Sequence, residues 1–201
     1  MKKLLAILLT AGMMLAMLAG CKSSEAPQAP AESVSGDTET AEAPKQESPF
    51  AEMSLTDLEG NEADQTLFAD HDLTMINIWA TFCNPCLREM PDLGLLQKEY
   101  ADSDKKVQIV GLVADVTDMA GNADPGQLDL AKQVVAQTQA EYTHLLPSET
   151  LMNFMMNNVS GFPTTYFVDA EGNLVGDPVV GARSGESWKK EIENRLAQMG
   201  K

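Results

Sequence analysis

The sequence has few of the residues that bind metals or nucleic acids. Its 201 residues include three cysteines and two histidines. A structural zinc site normally needs four ligands at close spacing, and beyond Cys83 and Cys86 only Cys21, His71 and His144 could complete one. Basic side chains number 14 against 30 acidic ones, for a formal net charge of −16. The composition argues against structural zinc and against electrostatic binding to nucleic acid or anionic lipid.

The amino-terminal segment lacks an apolar run long enough to span a bilayer comfortably. Lys2 and Lys3 precede an apolar run over residues 4–18, which ends in small residues before Cys21. A spanning helix needs roughly 20 apolar residues. We therefore predict a cleaved secretory signal peptide over residues 1–20.

The residues Leu18-Ala19-Gly20-Cys21 resemble a bacterial lipobox. This resemblance implies that Cys21 is lipidated and becomes the mature amino terminus, which anchors a bacterial lipoprotein to the outer side of its membrane. An ordinary cleaved signal with an incidental cysteine is the alternative.

Residues 22–48 lack the apolar side chains of a folded core, since Val34 is their only aliphatic residue larger than alanine. Such a segment stays disordered. As a flexible coil, residues 21–48 would form an acidic tether of roughly 30 Å. A partner-binding arm is the alternative, although no motif supports it. Residues 49–201 are then long enough for one domain with a substantial core.

A cysteine pair occupies the junction of a predicted buried strand, residues 73–79, and a predicted helix, residues 84–100. Pro85 lies between Cys83 and Cys86. The amide groups and the dipole of the helix start stabilise a thiolate at this place. A thiolate beside a second cysteine can attack a disulfide in another molecule, and the second sulfur then releases it. The pattern favours thiol–disulfide exchange over an inert disulfide, because a four-residue loop staples a fold poorly.

Further strand and helix patterns alternate along the domain and indicate an α/β fold. We expect a mixed sheet covered by helices on both faces. The predicted strands are an edge hairpin that begins at residues 53–58, then 107–113, 142–146, 164–168 and 174–180, and the other predicted helices are 124–141, one that starts at 147–148 and one capped by Ser184.

Two motifs resemble those of thioredoxins. Residues 79–86, Trp-Ala-Thr-Phe-Cys-Asn-Pro-Cys, resemble the thioredoxin signature, and Arg-Glu-Met-Pro at 88–91 resembles the membrane-anchored TlpA/ResA-like branch. Residues 161–165 resemble the thioredoxin cis-proline loop. The resemblance implies a thioredoxin-like fold with a helical insertion before that loop. It also implies a cis Phe162–Pro163 bond, which leaves the backbone of Phe162 free to bind an extended client peptide; a trans proline that starts the strand is the alternative.

The resemblance also implies roles for single side chains. Cys83 would be the attacking nucleophile and Cys86 the resolving thiol. Glu89, in a largely apolar setting with a raised pKa, would act as a base toward Cys86; an exposed helix carboxylate is the alternative. No cofactor is expected beyond the redox-active Cys83–Cys86 disulfide. The expected client-binding residues are Trp79, Phe82, Phe162 and Pro163.

The sequence departs from the thioredoxin pattern at three positions. Asn77 replaces a buried aspartate and cannot ionise, and Phe82 replaces the usual tryptophan. Asn84 replaces a glycine or acidic residue that is common in relatives. The reduction potential therefore cannot be read from the residues between the cysteines.

These features together imply an extracytoplasmic, membrane-anchored thiol–disulfide oxidoreductase that reduces client proteins. Disulfides form readily outside the cytoplasm, so such a reductant must be recharged, and the family resemblance implies a membrane thiol transporter of the DsbD/CcdA type as the electron donor. A peroxiredoxin-type peroxidase is a poor alternative, because Ala80 and Ile76 stand where that class needs threonine and proline. A copper-binding chaperone is another alternative, but such chaperones normally use a CxxxC motif with a distant histidine, whereas the spacing here is CxxC. We interpret His144 as a surface or strand residue.

Overall fold

The computed structural model describes residues 48–201 of the chain. The predicted signal peptide, the predicted lipid anchor Cys21 and all but the last residue of the predicted tether lie outside these residues and remain predictions. Within the described part, every helix is too short or too polar to cross a bilayer.

Seven strands form one mixed sheet. They are β1 (Ser54–Asp57), β2 (Glu62–Asp64), β3 (Leu73–Trp79), β4 (Val107–Val113), β5 (His144–Leu146), β6 (Thr164–Val168) and β7 (Val179–Val180). Their spatial order is β2-β1-β5-β4-β3-β6-β7. β3 runs parallel to β4 and antiparallel to β6, and all 7 of its residues are buried. Burial on both faces explains why β3 is a continuous apolar run and not an alternating one.

Five helices within residues 48–201 cover the two faces of this sheet. They are α1 (Thr66–Ala69), α2 (Asn84–Ala101), α3 (Pro125–Thr138), α4 (Glu149–Asn158) and α5 (Gly185–Gln198). Successive side chains of β3 point to opposite faces. Ile76 belongs to one apolar cluster with Phe68 of α1 and Leu151 of α4. Met75 belongs to another with Leu93 of α2 and the buried residues of α5, and α3 packs beside α2. The predicted two-sided α/β architecture is confirmed.

Most predicted elements are confirmed. The strands at 73–79, 107–113 and 164–168 have the predicted bounds, and β1 and β2 form the predicted hairpin. The helix that contains the second cysteine starts at Asn84 as predicted. The side chains of Asp124, Ser148 and Ser184 cap α3, α4 and α5.

Three predicted boundaries are wrong, and α1 was not predicted. α3 ends at Thr138 and not at residue 141, because Gln139 adopts a left-handed conformation with φ of 54°. The predicted strand over 142–146 starts only at His144.

The predicted strand over residues 174–180 is reduced to Val179–Val180. Gly176 has a φ of +68°, and Pro178 follows it. Residues 174 and 175 keep a short pairing with β6, and the guanidinium of Arg195 in α5 donates to the carbonyl oxygens of Val175 and Asp177 at 2.7 and 2.8 Å.

Candidate active site

The two cysteines lie where β3 passes into α2. Cys83 is the N-cap residue of α2, and its Sγ accepts a hydrogen bond from the backbone amide of Cys86 at 3.2 Å. Pro85 occupies the first turn, where a missing amide hydrogen costs nothing. The structure joins the two sulfurs in a disulfide. Cys83 is 6% exposed and Cys86 is fully buried, so Cys83 is the more accessible residue of the pair.

An aromatic pair stands over the more exposed cysteine. Phe82 is 71% exposed, and its ring lies edge-on to that of Phe162, with ring centres 6.3 Å apart. The Phe162–Pro163 peptide bond is cis, as predicted. The carbonyl of Pro163 accepts from the amide of Gly181 at 2.8 Å, whereas within residues 48–201 the amide and carbonyl of Phe162 have no backbone partner. One backbone donor and one backbone acceptor, both of Phe162, therefore remain without a backbone partner beside the aromatic pair.

Glu89 lies inside the protein, one helical turn after Cys86. Its Oε1 accepts from the Asn77 amide at 2.9 Å, and its Oε2 accepts from the Arg183 backbone amide at 2.9 Å and the Trp188 indole at 3.0 Å. Burial raises the pKa of Glu89, and these three donors partly oppose that rise. The predicted direction of the pKa shift is confirmed, and the alternative of an exposed carboxylate is excluded.

The surroundings of Glu89 differ from the apolar ones that were predicted. Its donors come from β3, from the loop after β7 and from α5, which are far apart in the sequence and could not be inferred from it. Asn77, which stands where many thioredoxins have an aspartate, thus donates to a carboxylate. The Asn77 amide also donates to the Thr165 hydroxyl at 3.1 Å, and its buried Oδ1 has no partner within residues 48–201.

Trp79 lies beneath the site and not on its surface. Its side chain is fully buried, so the predicted contact with clients is wrong for this residue. The indole donates to Nδ1 of His144 at 3.1 Å, and Nε2 of the same ring is 2.9 Å from the Ala140 carbonyl oxygen. A ring that accepts at Nδ1 must carry its proton at Nε2, which therefore donates to Ala140. The last residue of β3 is thereby held in the core.

His144 is a buried residue of β5, so the surface interpretation is wrong and the strand interpretation is confirmed. Burial lowers its pKa to about 4, and the ring is neutral. Both nitrogens have protein partners, which leaves neither free to bind copper. Gly111 of β4 faces the ring so closely that an added Cβ would lie 2.1 Å from Nδ1. Within residues 48–201, no group of three or more histidine, cysteine, aspartate or glutamate side chains could hold a metal ion.

The sequence did not identify an acidic residue beside the cysteine loop. Asp115 follows β4, and its carboxylate accepts from both the backbone amide and the hydroxyl of Thr81. A signal was present, because the carboxyl ends of adjacent parallel strands meet at one sheet edge. β3 and β4 are such a pair, so residues just after them are neighbours.

Comparison with known proteins agrees with this geometry. Residues 43–188 match the family model described as Redoxin. The chain belongs to the redoxin family. This redoxin is similar to the thioredoxin-like protein YneN of Bacillus subtilis, with 31% identity over 148 residues, which cover 72% of this chain and 75% of YneN. It is also similar to the thiol-disulfide oxidoreductase ResA of Bacillus thuringiensis, with 28% identity over 145 residues, covering 72% and 73% of the two chains.

A solved structure shows the same fold. The thiol:disulfide interchange protein of the thioredoxin family from Chlorobium tepidum superposes with a TM-score of 0.60 at 22% identity, covering 78% of this redoxin and 99% of that chain. The predicted thioredoxin-like fold and ResA-like family are confirmed. This redoxin is a thiol–disulfide oxidoreductase with a cysteine pair at the start of a helix.

Proposed function

We propose that this redoxin reduces disulfide bonds in client proteins, with Cys83 as the attacking nucleophile and Cys86 as the resolving thiol. The observation that carries the proposal is the N-cap position of Cys83. Its sulfur accepts an amide hydrogen at the positive end of α2, which favours a thiolate. The greater exposure of Cys83 supports the same assignment, because a client disulfide must reach the attacking sulfur.

The exchange proceeds in two steps. The Cys83 thiolate attacks one sulfur of the client disulfide, forms a mixed disulfide and expels the other client sulfur as a thiolate. Cys86, once deprotonated, attacks the Cys83 sulfur and expels the remaining client thiolate. The client gains two electrons, and the redoxin is left with the Cys83–Cys86 disulfide.

We assign the proton transfer in the second step to Glu89. A base with a raised pKa is suited to accept a proton from a thiol, whose ordinary pKa is about 8.5. Glu89 follows Cys86 by one helical turn, and burial raises its pKa. The donors from Asn77, Arg183 and Trp188 hold its carboxylate in one position.

We assign client binding to Phe82, Phe162 and Pro163. The exposed ring of Phe82 and the neighbouring ring of Phe162 offer an apolar contact to an approaching chain. The unpaired backbone of Phe162 can bind an extended segment as an added strand.

We place this activity outside the cytoplasm, at a membrane. The predicted signal peptide over residues 1–20, the predicted lipidation of Cys21 and the predicted tether over residues 21–48 are the basis of this placement, with residues 49–201 as the proposed catalytic domain. Because disulfides form readily outside the cytoplasm, the spent enzyme needs a source of electrons. We propose a membrane thiol transporter of the DsbD/CcdA type as that donor.

Trapping of the mixed disulfide tests the cysteine assignment. Cys86→Ser should accumulate a covalent complex with a disulfide-bonded client peptide, because Cys83 attacks and nothing resolves it. Cys83→Ser is the matched control and should trap none. The assignment is reversed if Cys83→Ser traps the client and Cys86→Ser does not.

A second experiment tests the lipid anchor. Cys21→Ala should release the protein from bacterial membranes, and unchanged membrane association would refute the lipid attachment.

A further inference from the structure

Three hydrogen bonds tie the loop before the cysteine pair to the end of β4. The Thr81 backbone amide lies 3.1 and 3.0 Å from the two carboxylate oxygens of Asp115, and the Thr81 hydroxyl donates to Oδ2 at 2.6 Å. The amide of Ala114 donates to the carbonyl of Trp79 at 2.8 Å and extends the pairing of β3 and β4 up to this point. We call the contact between Thr81 and Asp115 the carboxylate clamp.

The carboxylate clamp acts on the residues that meet the client. Thr81 immediately precedes the exposed Phe82 and lies two residues before Cys83. A further hydrogen bond, from the Cys83 amide to the Ala80 carbonyl at 3.0 Å, closes a turn across residues 80–83. A carboxylate that accepts both groups of Thr81 fixes the orientation of this turn, because bonds to an ionised acceptor are about twice as strong as neutral ones.

We propose that Asp115 is a positioning residue for thiol–disulfide exchange, which holds Thr81 so that the Cys83 sulfur stays at the N-cap of α2. This proposal rests on the proposed role of Cys83 as the nucleophile. The clamp orients the turn so that Sγ meets the Cys86 amide, the contact that stabilises its thiolate. The two Thr81 donors also offset part of the negative charge of Asp115.

A second aspartate in the same loop lacks this contact and supplies a control. Asp118 is exposed, and its carboxylate accepts from the amides of Ala120 and Asn122 at 2.9 and 2.8 Å within its own turn. Asp118→Asn therefore removes an equal charge three residues from Asp115 and leaves Thr81 untouched.

The first test compares Thr81→Val with Thr81→Ser in the full chain and measures the pKa of the Cys83 thiol from the pH dependence of its alkylation. Valine keeps the branched shape and the backbone amide but lacks the hydroxyl. We expect Thr81→Val to raise the pKa of Cys83, since the turn loosens and the Asp115 charge is less neutralised. Thr81→Ser, which keeps the hydroxyl, should retain the original value.

The second test is a double-mutant cycle on the rate constant for attack on a disulfide-bonded client peptide. We expect Thr81→Val to lower this constant about three- to tenfold, which is the scale of the loss of one typical hydrogen bond. Added to Asp115→Asn, where the charge and one acceptor oxygen of the clamp are already lost, Thr81→Val should have little further effect. Added to Asp118→Asn, it should have its full effect.

A purely structural clamp would lower thermal stability but would leave the thiol pKa and the rate constant unchanged at temperatures where the protein is folded. That result, or additive effects of Thr81→Val and Asp115→Asn, would overturn the proposal. Failure of the proposed function is recognised separately. It would appear as an absence of client trapping by Cys86→Ser, whereas the thiol pKa needs no client.

Discussion

Acid should destabilise this redoxin through one buried ring beneath the active site. His144 is almost completely buried, and its neutral ring accepts from Trp79 and donates to Ala140. Its pKa falls from the ordinary 6.5 to about 4 in the folded protein. Between these two values the unfolded chain binds a proton that the folded chain rejects. The contribution of His144 to the free energy of unfolding is therefore complete above pH 6.5 and is lost progressively as the pH falls toward 4.

The size of this loss follows from the two pKa values. With 6.5 for the unfolded chain and about 4 for the folded protein, linkage gives a decrease in the free energy of unfolding of ~2 kcal/mol at pH 5 and ~3 kcal/mol at pH 4. Glu89 acts with the opposite sign, because its pKa is raised, so the folded protein binds the extra proton. The effect of His144 must therefore be isolated by comparison with a variant.

Urea unfolding at several pH values between 8 and 5 would measure the effect, with the fluorescence of the buried Trp79 and Trp188 as the signal. His144→Gln keeps an acceptor for the Trp79 indole but does not titrate, so its stability should fall by ~2 kcal/mol less than that of the natural protein over this range. His71→Gln, which removes the other histidine, is the control. Its stability should fall between pH 8 and pH 5 by as much as that of the natural protein. Parallel stability profiles of the natural protein and His144→Gln would refute the reasoning.

Three further predictions concern the contacts of Glu89 and the packing of His144. Glu89→Gln should slow resolution of the mixed disulfide by Cys86 about 10²- to 10⁴-fold, on the scale of general-base catalysis, and should abolish the loss of that rate on acidification; an unchanged rate–pH profile would remove Glu89 from the mechanism. Trp188→Phe removes one donor to the Glu89 carboxylate, so the pKa of Glu89 should rise further and the acidic limb of the same profile should move to higher pH, whereas an unmoved limb would contradict the contact. Gly111→Ala places a Cβ 2.1 Å from the His144 ring and should destabilise the fold by about 1–3 kcal/mol in urea unfolding, and a neutral result would contradict this packing.

The sequence predicted those parts of the site that depend on local order. Cys83 and Cys86 are placed by a buried strand that leads into a helix, and both elements carry strong periodic patterns. The cis bond before Pro163 was predicted from a family resemblance and not from spacing. The central strands were predicted to the residue, because a strand buried on both faces is an unbroken apolar run with turn residues at its ends.

Features that depend on distant contacts could not be predicted. The donors from Arg183 and Trp188 lie 94 and 99 residues from Glu89 in the sequence. The burial of Trp79 depends on a histidine in another strand, and tryptophan occurs both in cores and at binding surfaces. The expected strand over residues 174–180 had apolar residues, but Gly176 and a guanidinium from α5 redirect that backbone.

The equilibrium reduction potential of the Cys83–Cys86 couple tests the central claim most directly. The full chain would be equilibrated with defined ratios of reduced and oxidised dithiothreitol or glutathione. The fraction of protein that contains the disulfide would then be measured by alkylating the free thiols and determining the mass of the product. A reductant of client disulfides should have a potential near that of thioredoxin, about −270 mV. A potential near that of the oxidant DsbA, about −120 mV, would contradict the account and reverse the direction of electron flow.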